Sequence, residues 1–248
     1  MLKALLQNKI SVGKKVFALL IDPDKHNNES LAALMHIANT EPGPDLILIG
    51  GSIVFNGIDE TVQHIKSLTT KPVYLFPGSA LQVSKYADGI LLLSLLSGRN
   101  AEFLIGNHVL AAPKIKKSGI DILPTGYILI NSGTDTSVSY MSNTSPIPYH
   151  KKDIALATAL AGEMLGLQAI YLEAGSGAKL TVSAEMIQEV KTHIKIPLIV
   201  GGGIRNSQQL NEVLKAGADM VVIGTATEEI PEQVTQFAEI ISRFIPTL

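Results

Sequence analysis

Two short sequences near the N-terminus combine residue types that bind hard cations. Asp22-Pro-Asp-Lys25 and Gly50-Gly-Ser52 each stand at the end of a short apolar segment. Mg²⁺ in proteins binds one or two side-chain oxygens and completes its octahedron with water and phosphate oxygens. If the two segments lie side by side, Asp22 and Ser52 can hold Mg²⁺ beside a phosphate group. The alternatives are a polar turn capped by an aspartate at the first sequence and an ordinary glycine turn at the second.

A third sequence, Tyr171-Leu-Glu-Ala-Gly-Ser-Gly177, combines a carboxylate with a glycine-rich turn. Side chains alternate between the two faces of a strand, so Tyr171 and Glu173 share one face and Leu172 points to the other. A carboxylate in such a place serves as general base toward a hydroxyl group, and the backbone N–H groups of the turn can bind an anion. The alternative is a solvated glutamate beside a flexible loop.

Glycines dominate two later sequences, Gly201-Gly-Gly-Ile-Arg205 and Gly224-Thr225. The residues between them suffice for one helix, so the two sequences end consecutive strands. Loops after the last two strands of a β/α barrel frequently bind phosphate, and we predict a phosphate site here. Arg205 either contacts the anion or lies at the rim. Arg99-Asn100 is a weaker candidate for contact with a second anion.

The polar sequences stand at the ends of apolar runs that are rich in β-branched residues. Most of these runs are continuously apolar, as in parallel strands buried on both faces, and amphipathic helical stretches separate many of them. This alternation predicts an α/β fold, a (β/α)8 TIM barrel that spans residues 1–248 as one domain; an open, doubly wound sheet is the alternative. The predicted strands are Val16–Asp22, Leu46–Ser52, Val73–Ser79, Gly89–Ser97, Asp121–Asn131, Ala169–Gly177, Pro197–Ile204 and Met220–Thr225. The clearest predicted helices are Ser30–Ala38, Asp59–Ser67, Ala101–Lys117, Asp153–Leu165, Ala184–Lys191 and Ser207–Ala216.

Two intervals depart from the regular alternation. Only nine residues separate Ser79 from Gly89, which is short for a full crossover helix, so we predict a degenerate third helix. Ser132–Lys152 is a long polar loop after the fifth predicted strand. In a barrel this loop lies over the active site at the C-terminal face, and long loops are usually functional; a mobile surface insertion is the alternative.

Composition excludes several classes of protein. The chain has 20 Lys and Arg residues, 22 Asp and Glu residues and a net charge of −2, which argues against a nucleic-acid partner and a polybasic membrane anchor. It contains no cysteine, so a disulfide scaffold and a Cys nucleophile are excluded. None of the six histidines stands at metal-ligand spacing, and each is expected to have a structural or surface role. The sequence has neither a signal peptide nor a convincing membrane span, and we expect a cytoplasmic location.

Taken in order, these sequences resemble the geranylgeranylglyceryl phosphate synthase family, which includes the heptaprenylglyceryl phosphate synthases. The resemblance covers nearly the full chain, and Tyr171–Gly177 is its most specific part. The Asp22-Pro-Asp-Lys25 sequence and the long loop after the fifth strand are more similar to the geranylgeranyl branch, group II. In the heptaprenyl branch a lysine two residues before the first aspartate contacts the phosphate. Leu20 stands at that position here, so another residue must make this contact, or none does; whether Asp24 joins the metal site also stays open.

The resemblance implies a Mg²⁺-dependent prenyltransferase of ether-lipid biosynthesis. The implied reaction transfers a prenyl group from geranylgeranyl diphosphate to the 3-hydroxyl of sn-glycerol 1-phosphate, so that an ether forms and diphosphate leaves. It further implies that Asp22 and Ser52 hold Mg²⁺ and that Glu173 is the catalytic base. The residues implied to bind glycerol phosphate are Tyr171, Leu172, Glu173, Ala174, Gly175, Ser176, Gly177, Gly202, Gly203, Gly224 and Thr225.

An isoprenoid tail requires an apolar groove, and a missing third helix leaves room for one. Candidates for its wall, which are equally consistent with ordinary packing, are Leu75, Phe76, Ala80, Leu81 and Tyr86. For the remaining partners, we expect a homo-oligomer, transient contact with a membrane and no nucleic acid.

Two other functions are consistent with a phosphate-binding barrel. One is a sugar-phosphate isomerase of histidine or tryptophan biosynthesis. The histidine-pathway members use an aspartate on the first strand and another on the fifth, whereas Pro124–Asn131 of the fifth predicted strand contains no carboxylate. The second alternative is a non-catalytic sensor of a phosphorylated ligand.

Overall fold

The computed structural model describes residues 1–245 and contains a closed barrel of eight parallel strands. The strands are β1 (Val16–Ile21), β2 (Leu46–Ile49), β3 (Val73–Leu75), β4 (Gly89–Leu95), β5 (Asp121–Leu129), β6 (Ala169–Glu173), β7 (Leu198–Gly201) and β8 (Met220–Ile223). Each strand pairs with the next along the chain, and β1 pairs with β8. The predicted (β/α)8 barrel is therefore confirmed, and the open sheet is wrong.

Helices surround the barrel and connect most of its strands. They are α1 (Leu2–Ser11), α2 (Asn28–Ala38), α3 (Ile58–Leu68), α4 (Asn107–Ser118), α5 (Ser137–Ser142), α6 (Lys152–Met164), α7 (Ala184–His193), α8 (Ser207–Lys215), α9 (Thr225–Glu229) and α10 (Gln233–Arg243). A 3-10 turn, Pro23–Lys25, follows β1, and a π-helical turn, Glu102–Gly106, precedes α4. Within residues 1–245, no helix has the length and apolar character needed to cross a bilayer.

Strand side chains alternate between the barrel interior and the layer beneath the helices. In β6, Tyr171 packs inside the barrel with Tyr127, whereas Leu172 packs beneath the helices. Leu2 and Leu6 of α1 also belong to the interior cluster, so α1 closes the N-terminal end of the barrel. Full burial of one such side chain contributes roughly 1.5–3 kcal/mol. Because α1 closes the N-terminal end, the open end of the barrel is the C-terminal end of the strands, where the predicted site residues stand.

The connection from β3 to β4 is irregular. Residues 76–88, all of which the structure describes, contain turns and bends but no helix. The buried Gln82 side chain holds this segment, because its Oε1 accepts the N–H of Gly78 at 3.0 Å and its Nε2 donates to the carbonyl of Gly51 at 2.9 Å. The predicted degenerate crossover is confirmed, and the helix is replaced by a segment that is fastened to the end of β2.

The long loop between β5 and α6 is ordered around α5. Thr136 caps α5, since its side chain accepts the N–H of Ser139 at 3.4 Å while the Ser139 hydroxyl accepts the N–H of Thr136 at 3.1 Å. Ile147 then donates its N–H to the carbonyl of Leu129 at 2.8 Å. These bonds attach the loop to the end of β5, at the C-terminal face of the barrel, as predicted.

Candidate active site

One cavity of about 390 Å³ lies at the C-terminal end of the barrel. Its polar part is formed by residues at the ends of β1, β2, β6, β7 and β8, and its apolar part extends between β4 and α4. The structure thus brings together sequences that are widely separated along the chain. The polar part is lined by Asp22, Lys25, Ser52, Tyr171, Glu173, Gly175, Ser176, Gly177, Gly202, Gly203, Arg205, Gly224, Thr225 and Glu228.

Asp22 and Ser52 lie on the same rim of the cavity. Asp22 is half-buried, and its Oδ1 accepts the backbone N–H of Asp24 at 3.1 Å. The carboxylate lies against Gly51, where an added Cβ would be 3.1 Å from Oδ2, so this glycine leaves room for the acid. Asp22 also caps the turn after β1, so a capped polar turn and a cation site are compatible interpretations of this sequence. No cluster of three or more His, Cys, Asp or Glu side chains within residues 1–245 is arranged to hold a metal.

Asp24, unlike Asp22, binds backbone N–H groups of a neighbouring loop with both of its carboxylate oxygens. Its Oδ2 accepts the N–H of Phe55 at 2.8 Å and its Oδ1 accepts the N–H of Asn56 at 2.9 Å. The side chain is exposed and is not among the residues that line the cavity. Both carboxylate oxygens therefore hold the loop between β2 and α3, which also carries Ser52.

Glu173 is buried in the wall of the cavity, with 5% of the residue exposed. Its Oε1 accepts the backbone N–H of Gly175 at 2.6 Å. Burial raises the pKa of this carboxyl group, and hydrogen bonding from the Gly175 N–H and from the hydroxyls of Tyr171 and Tyr127 lowers it in part. The net effect is a pKa raised above the usual value for glutamate, so the ionised carboxylate is a stronger base than a solvated one. The solvated glutamate of the alternative interpretation is wrong.

Three aromatic rings pack together in the cavity wall, and two of them, Tyr171 and Tyr127, carry the hydroxyls that reach Glu173. Phe76 stacks on Tyr171 with ring centroids 5.3 Å apart, and the ring of Tyr127 is also 5.3 Å from that of Tyr171. Burial raises the pKa of both phenols well above the usual value, so both are protonated hydrogen-bond donors at neutral pH. Tyr127 is a residue of the cavity that was not predicted from the sequence. Side-chain alternation along β5 could have indicated it, because β5 pairs with β6 in a register that sets Tyr127 beside Tyr171.

The glycines after β7 are required by close packing. An added Cβ at Gly201 would lie 2.0 Å from the Tyr171 hydroxyl, and one at Gly202 would lie 2.4 Å from Glu173 Oε1. At Gly203, an added Cβ would lie 2.6 Å from the carbonyl oxygen of Leu180. Gly201 and Gly202 therefore let the side chains of Tyr171 and Glu173 approach the β7 backbone, and Gly203 lets the Leu180 backbone approach. Gly202 and Gly203 line the cavity, and their contact with phosphate stays a prediction.

Two arginines were predicted as anion contacts, and only one lines the cavity. The Arg205 guanidinium lies 3.5 Å from the carbonyl oxygen of Gly177 and 3.9 Å from the Glu229 carboxylate. Arg99 is exposed and adopts a positive φ of 50° outside the cavity lining. The amide of Asn100 donates to the carbonyl of Ser142 at 3.2 Å. Arg205 thus stays a candidate, whereas Arg99-Asn100 is a structural turn.

Two members of the predicted glycerol phosphate set do not present their side chains to the cavity. Leu172 and Ala174 are buried in the layer beneath the helices and are absent from the cavity lining within residues 1–245. Strand alternation places them on the face opposite Tyr171 and Glu173. Only their backbone groups can therefore contact glycerol phosphate, and that contact stays a prediction.

The apolar part of the cavity differs from the predicted groove. Phe76 and Ala80 line it, but Leu75 is buried beneath the helices. Leu81 and Tyr86 are 84% and 38% exposed and lie outside the lining, so the prediction is wrong for these three residues. The walls come instead from the segment before β4, from β4 and from the helical segment after it: Val83, Ile90, Leu92, Leu93, Leu95, Phe103, His108, Ala111 and Ile115.

His108 introduces one polar group into this apolar wall. Its Nε2 lies 3.1 Å from the Ser94 hydroxyl. Burial lowers the pKa of the imidazole, so the ring is neutral at physiological pH. The sequence analysis assigned it only a structural or surface role, whereas the structure places it at the cavity.

A model of the PcrB family matches residues 9–241 of the chain. The chain belongs to the PcrB family. A geranylgeranylglyceryl phosphate synthase of Spirosoma linguale is 51% identical to it over 233 residues, which are 94% of this chain and 93% of the relative. The family resemblance drawn from the sequence is therefore confirmed.

Two solved structures of PcrB-family relatives have the same fold. The wild-type GGGPS from Thermoplasma volcanium superposes with a TM-score of 0.91 at 33% identity, with 100% of both chains covered. The (S)-3-O-geranylgeranylglyceryl phosphate synthase from Thermoplasma acidophilum, solved in complex with its substrate sn-glycerol-1-phosphate, superposes with a TM-score of 0.90 at 32% identity. The match covers 97% of this chain and 99% of that one.

The hydroxyl of Tyr127 sets a testable pH dependence. Because it lowers the pKa of Glu173, Tyr127→Phe is expected to raise that pKa. The deprotonated fraction of Glu173 then falls at a given pH, so the acidic limb of the pH profile of kcat/KM should move to higher pH. Tyr86→Phe, outside the cavity, is the matched control and should leave the limb in place. An unmoved or oppositely shifted limb in Tyr127→Phe would show that this phenol does not act on the group that titrates.

Proposed function

We propose that this PcrB-family protein joins a prenyl diphosphate to the 3-hydroxyl of sn-glycerol 1-phosphate, with geranylgeranyl diphosphate as the donor. The proposal rests on a single cavity that is lined by the buried Glu173 carboxylate, by polar residues after β1, β2, β6, β7 and β8, and by an apolar wall. A donor with a charged head and an isoprenoid tail matches that division. The acceptor is inferred from the relative of Thermoplasma acidophilum.

The acceptor phosphate is proposed to lie at the turns after β6, β7 and β8. The hydroxyls of Ser176 and Thr225 lie 3.4 Å apart on this side of the cavity, and Gly177, Gly203 and Gly224 line it with them. An acceptor held here by its phosphate extends its glycerol group toward Glu173. Fixing the hydroxyl beside the base replaces a bimolecular encounter by an oriented one.

The Glu173 carboxylate is proposed to accept the proton of the attacking hydroxyl. The C–O bond of the allylic diphosphate breaks, the hydroxyl oxygen bonds to the allylic carbon, and the proton passes to Glu173 Oε. The N–H of Gly175 at 2.6 Å fixes the carboxylate, and the rings of Tyr171 and Tyr127 exclude water from it. These residues therefore orient one oxygen of the base, and their burial of the carboxyl group raises its pKa.

The residues at the β1–β2 rim fit a divalent cation that is held mainly by its substrate. Asp22 supplies one carboxylate with Oδ1 engaged by a backbone N–H, and Ser52 supplies a hydroxyl in the same cavity. Such a sparse donor set is typical of Mg²⁺ that is also bound by substrate phosphates. A bound Mg²⁺ would supply neutralisation of the charge on the departing diphosphate.

The metal proposal predicts a change in Mg²⁺ requirement. Chelation is expected to abolish turnover, and added Mg²⁺ is expected to restore it. Asp22→Asn should raise the Mg²⁺ concentration for half-maximal rate by about 10- to 100-fold, because one anionic ligand is lost. Asp153→Asn, at an exposed position of α6, is the control. Full activity of the wild type in chelator would refute a metal role.

The donor proposal predicts that filling the apolar part impairs prenyl binding. Ala111 is buried in the cavity wall, so Ala111→Phe should raise the KM for geranylgeranyl diphosphate by about tenfold while the KM for sn-glycerol 1-phosphate changes less than about twofold. A shorter donor such as farnesyl diphosphate should be less affected. The exposed neighbour Ala112 provides the control substitution Ala112→Phe. If Ala111→Phe leaves the KM values for geranylgeranyl diphosphate and for farnesyl diphosphate at their wild-type levels, this wall is not part of the donor site.

Product analysis tests the function itself. The protein, Mg²⁺ and geranylgeranyl diphosphate are incubated with sn-glycerol 1-phosphate, or in a parallel reaction with sn-glycerol 3-phosphate, and lipid products are identified by mass spectrometry. We expect an ether product with the first acceptor and release of diphosphate in equal amount. No ether product with any prenyl diphosphate would refute the proposal and leave the isomerase and sensor alternatives.

A cytoplasmic location, a homo-oligomer and transient membrane contact stay predictions.

A further inference from the structure

One ion pair joins two neighbouring segments at the polar part of the cavity. Lys25 Nζ, in the turn after β1, lies 2.7 Å from Glu228 Oε2 of α9. Both residues line the cavity. The Glu228 side chain is 11% exposed and that of Lys25 is 43% exposed, so the carboxylate is largely enclosed while the ammonium is accessible.

The cavity has few other cations for a bound phosphate. Of the lysines and arginines within residues 1–245, Lys25 and Arg205 are the two that line it, and Arg205 faces the Gly177 carbonyl and Glu229. On the β1 side, the apolar Leu20 lies against Gly224, where an added Cβ would be 3.4 Å from Leu20 Cβ. A phosphate dianion beside Gly224 therefore meets no cation on β1 itself.

We infer that Lys25 contacts the phosphate of the acceptor and that Glu228 is the positioning residue that holds Lys25 toward it. An ammonium has three N–H donors, so one bond to Glu228 leaves two for phosphate oxygens. Glu228 belongs to α9, the helix that begins at Thr225 after Gly224, which places the ion pair beside the proposed acceptor phosphate rather than at the apolar part of the cavity. This inference rests on the proposed function, because it takes sn-glycerol 1-phosphate as the acceptor.

The experiment measures each substrate separately in Lys25→Ala, Lys25→Arg and Glu228→Gln. In Lys25→Ala the KM for sn-glycerol 1-phosphate is expected to rise about 10- to 100-fold, the range for one charge-assisted hydrogen bond, with the KM for geranylgeranyl diphosphate changed less than threefold. Lys25→Arg retains the charge and should recover most of the loss. Glu228→Gln should raise the same KM by less than Lys25→Ala does, since the ammonium remains but loses its charged partner. Lys14→Ala, exposed at the opposite end of the barrel, is the control.

Calorimetric titration of sn-glycerol 1-phosphate into wild type and Lys25→Ala gives a second readout that needs no turnover, and melting temperatures show whether each variant is folded. A KM within twofold of wild type in Lys25→Ala, or a rise confined to the KM for the diphosphate donor, would overturn the inference. If Lys25→Ala does not fold, Lys25→Arg and Glu228→Gln decide: unchanged affinity in Glu228→Gln would exclude its positioning role. If the wild-type protein neither binds sn-glycerol 1-phosphate nor makes the ether, the proposed function is refuted. If the wild type is active and Lys25→Ala has the same kinetics, only the inference about Lys25 is refuted.

Discussion

Glu173→Gln is expected to lower kcat by about 100- to 10,000-fold, the range for loss of one general base, with the Kd for sn-glycerol 1-phosphate changed less than about threefold. Glutamine has the same shape and retains an oxygen that can accept the Gly175 N–H, so the hydrogen bond at 2.6 Å can be kept. What glutamine cannot do is accept the hydroxyl proton. The effect should therefore appear in kcat, measured under single-turnover conditions, rather than in substrate binding.

Glu239→Gln, in α10 with a half-exposed side chain away from the cavity lining, is the matched control for this substitution. It should leave both kcat and Kd at wild-type values. A Glu173→Gln protein with kcat within threefold of wild type would show that the proton goes to another acceptor. A loss of acceptor binding with unchanged kcat would instead make Glu173 a binding residue.

Gly202→Ala is expected to lower kcat by about 100-fold, although Gly202 transfers no proton. An added Cβ would lie 2.4 Å from Glu173 Oε1 and 2.6 Å from the backbone nitrogen of Gly175, so the base or the turn that fixes it must shift. A displacement of about 1 Å in a catalytic group can cost on the order of 100-fold in rate. The measurement is kcat together with the melting temperature.

Gly166→Ala separates this effect from backbone strain. Gly166 has φ of +87°, close to the +81° of Gly202, but an added Cβ there meets nothing within 4 Å. Both substitutions carry the left-handed strain of about 1–2 kcal/mol, whereas only Gly202→Ala contacts the base. Gly166→Ala should be less stable but fully active. Equal losses of activity in the two variants would show that stability, and not the position of Glu173, limits the rate.

The barrel was predictable because its signals are local and repeated. Each strand is an apolar run followed by a polar or glycine-rich turn, and the interval from Ser79 to Gly89 indicates the degenerate third helix by its shortness alone. Strand alternation also placed Tyr171 and Glu173 on one face and Leu172 on the other. The same rule places Leu172 and Ala174 on the face away from the cavity.

The details of the cavity depend on contacts between distant segments, which local patterns do not show. The task of Asp24 is set by two backbone N–H groups about 30 residues later, at Phe55 and Asn56. The apolar wall depends on how α4 packs against β4, beside the connection from β3 to β4 that contains no helix. Residues such as Leu92 and Ala111 therefore resemble ordinary core positions in the sequence.

The glycines at 201–203 show that a correct motif can have an incomplete explanation. Their pattern predicts a phosphate loop, yet Gly201 and Gly202 are also required by the close approach of Tyr171 and Glu173. Sequence alone does not distinguish a glycine that contacts a ligand from one that makes room for a neighbouring side chain. The distances from an added Cβ make that distinction possible.

An isotope measurement shows whether the oxygen of the acceptor hydroxyl attacks the prenyl carbon. sn-Glycerol 1-phosphate labelled with ¹⁸O in its 3-hydroxyl is converted with unlabelled geranylgeranyl diphosphate, and both products are analysed by mass spectrometry. We expect all of the ¹⁸O to be retained in the ether linkage and none to enter the released diphosphate. A prenyl group bound to a phosphate oxygen, or ¹⁸O in the diphosphate, would contradict it.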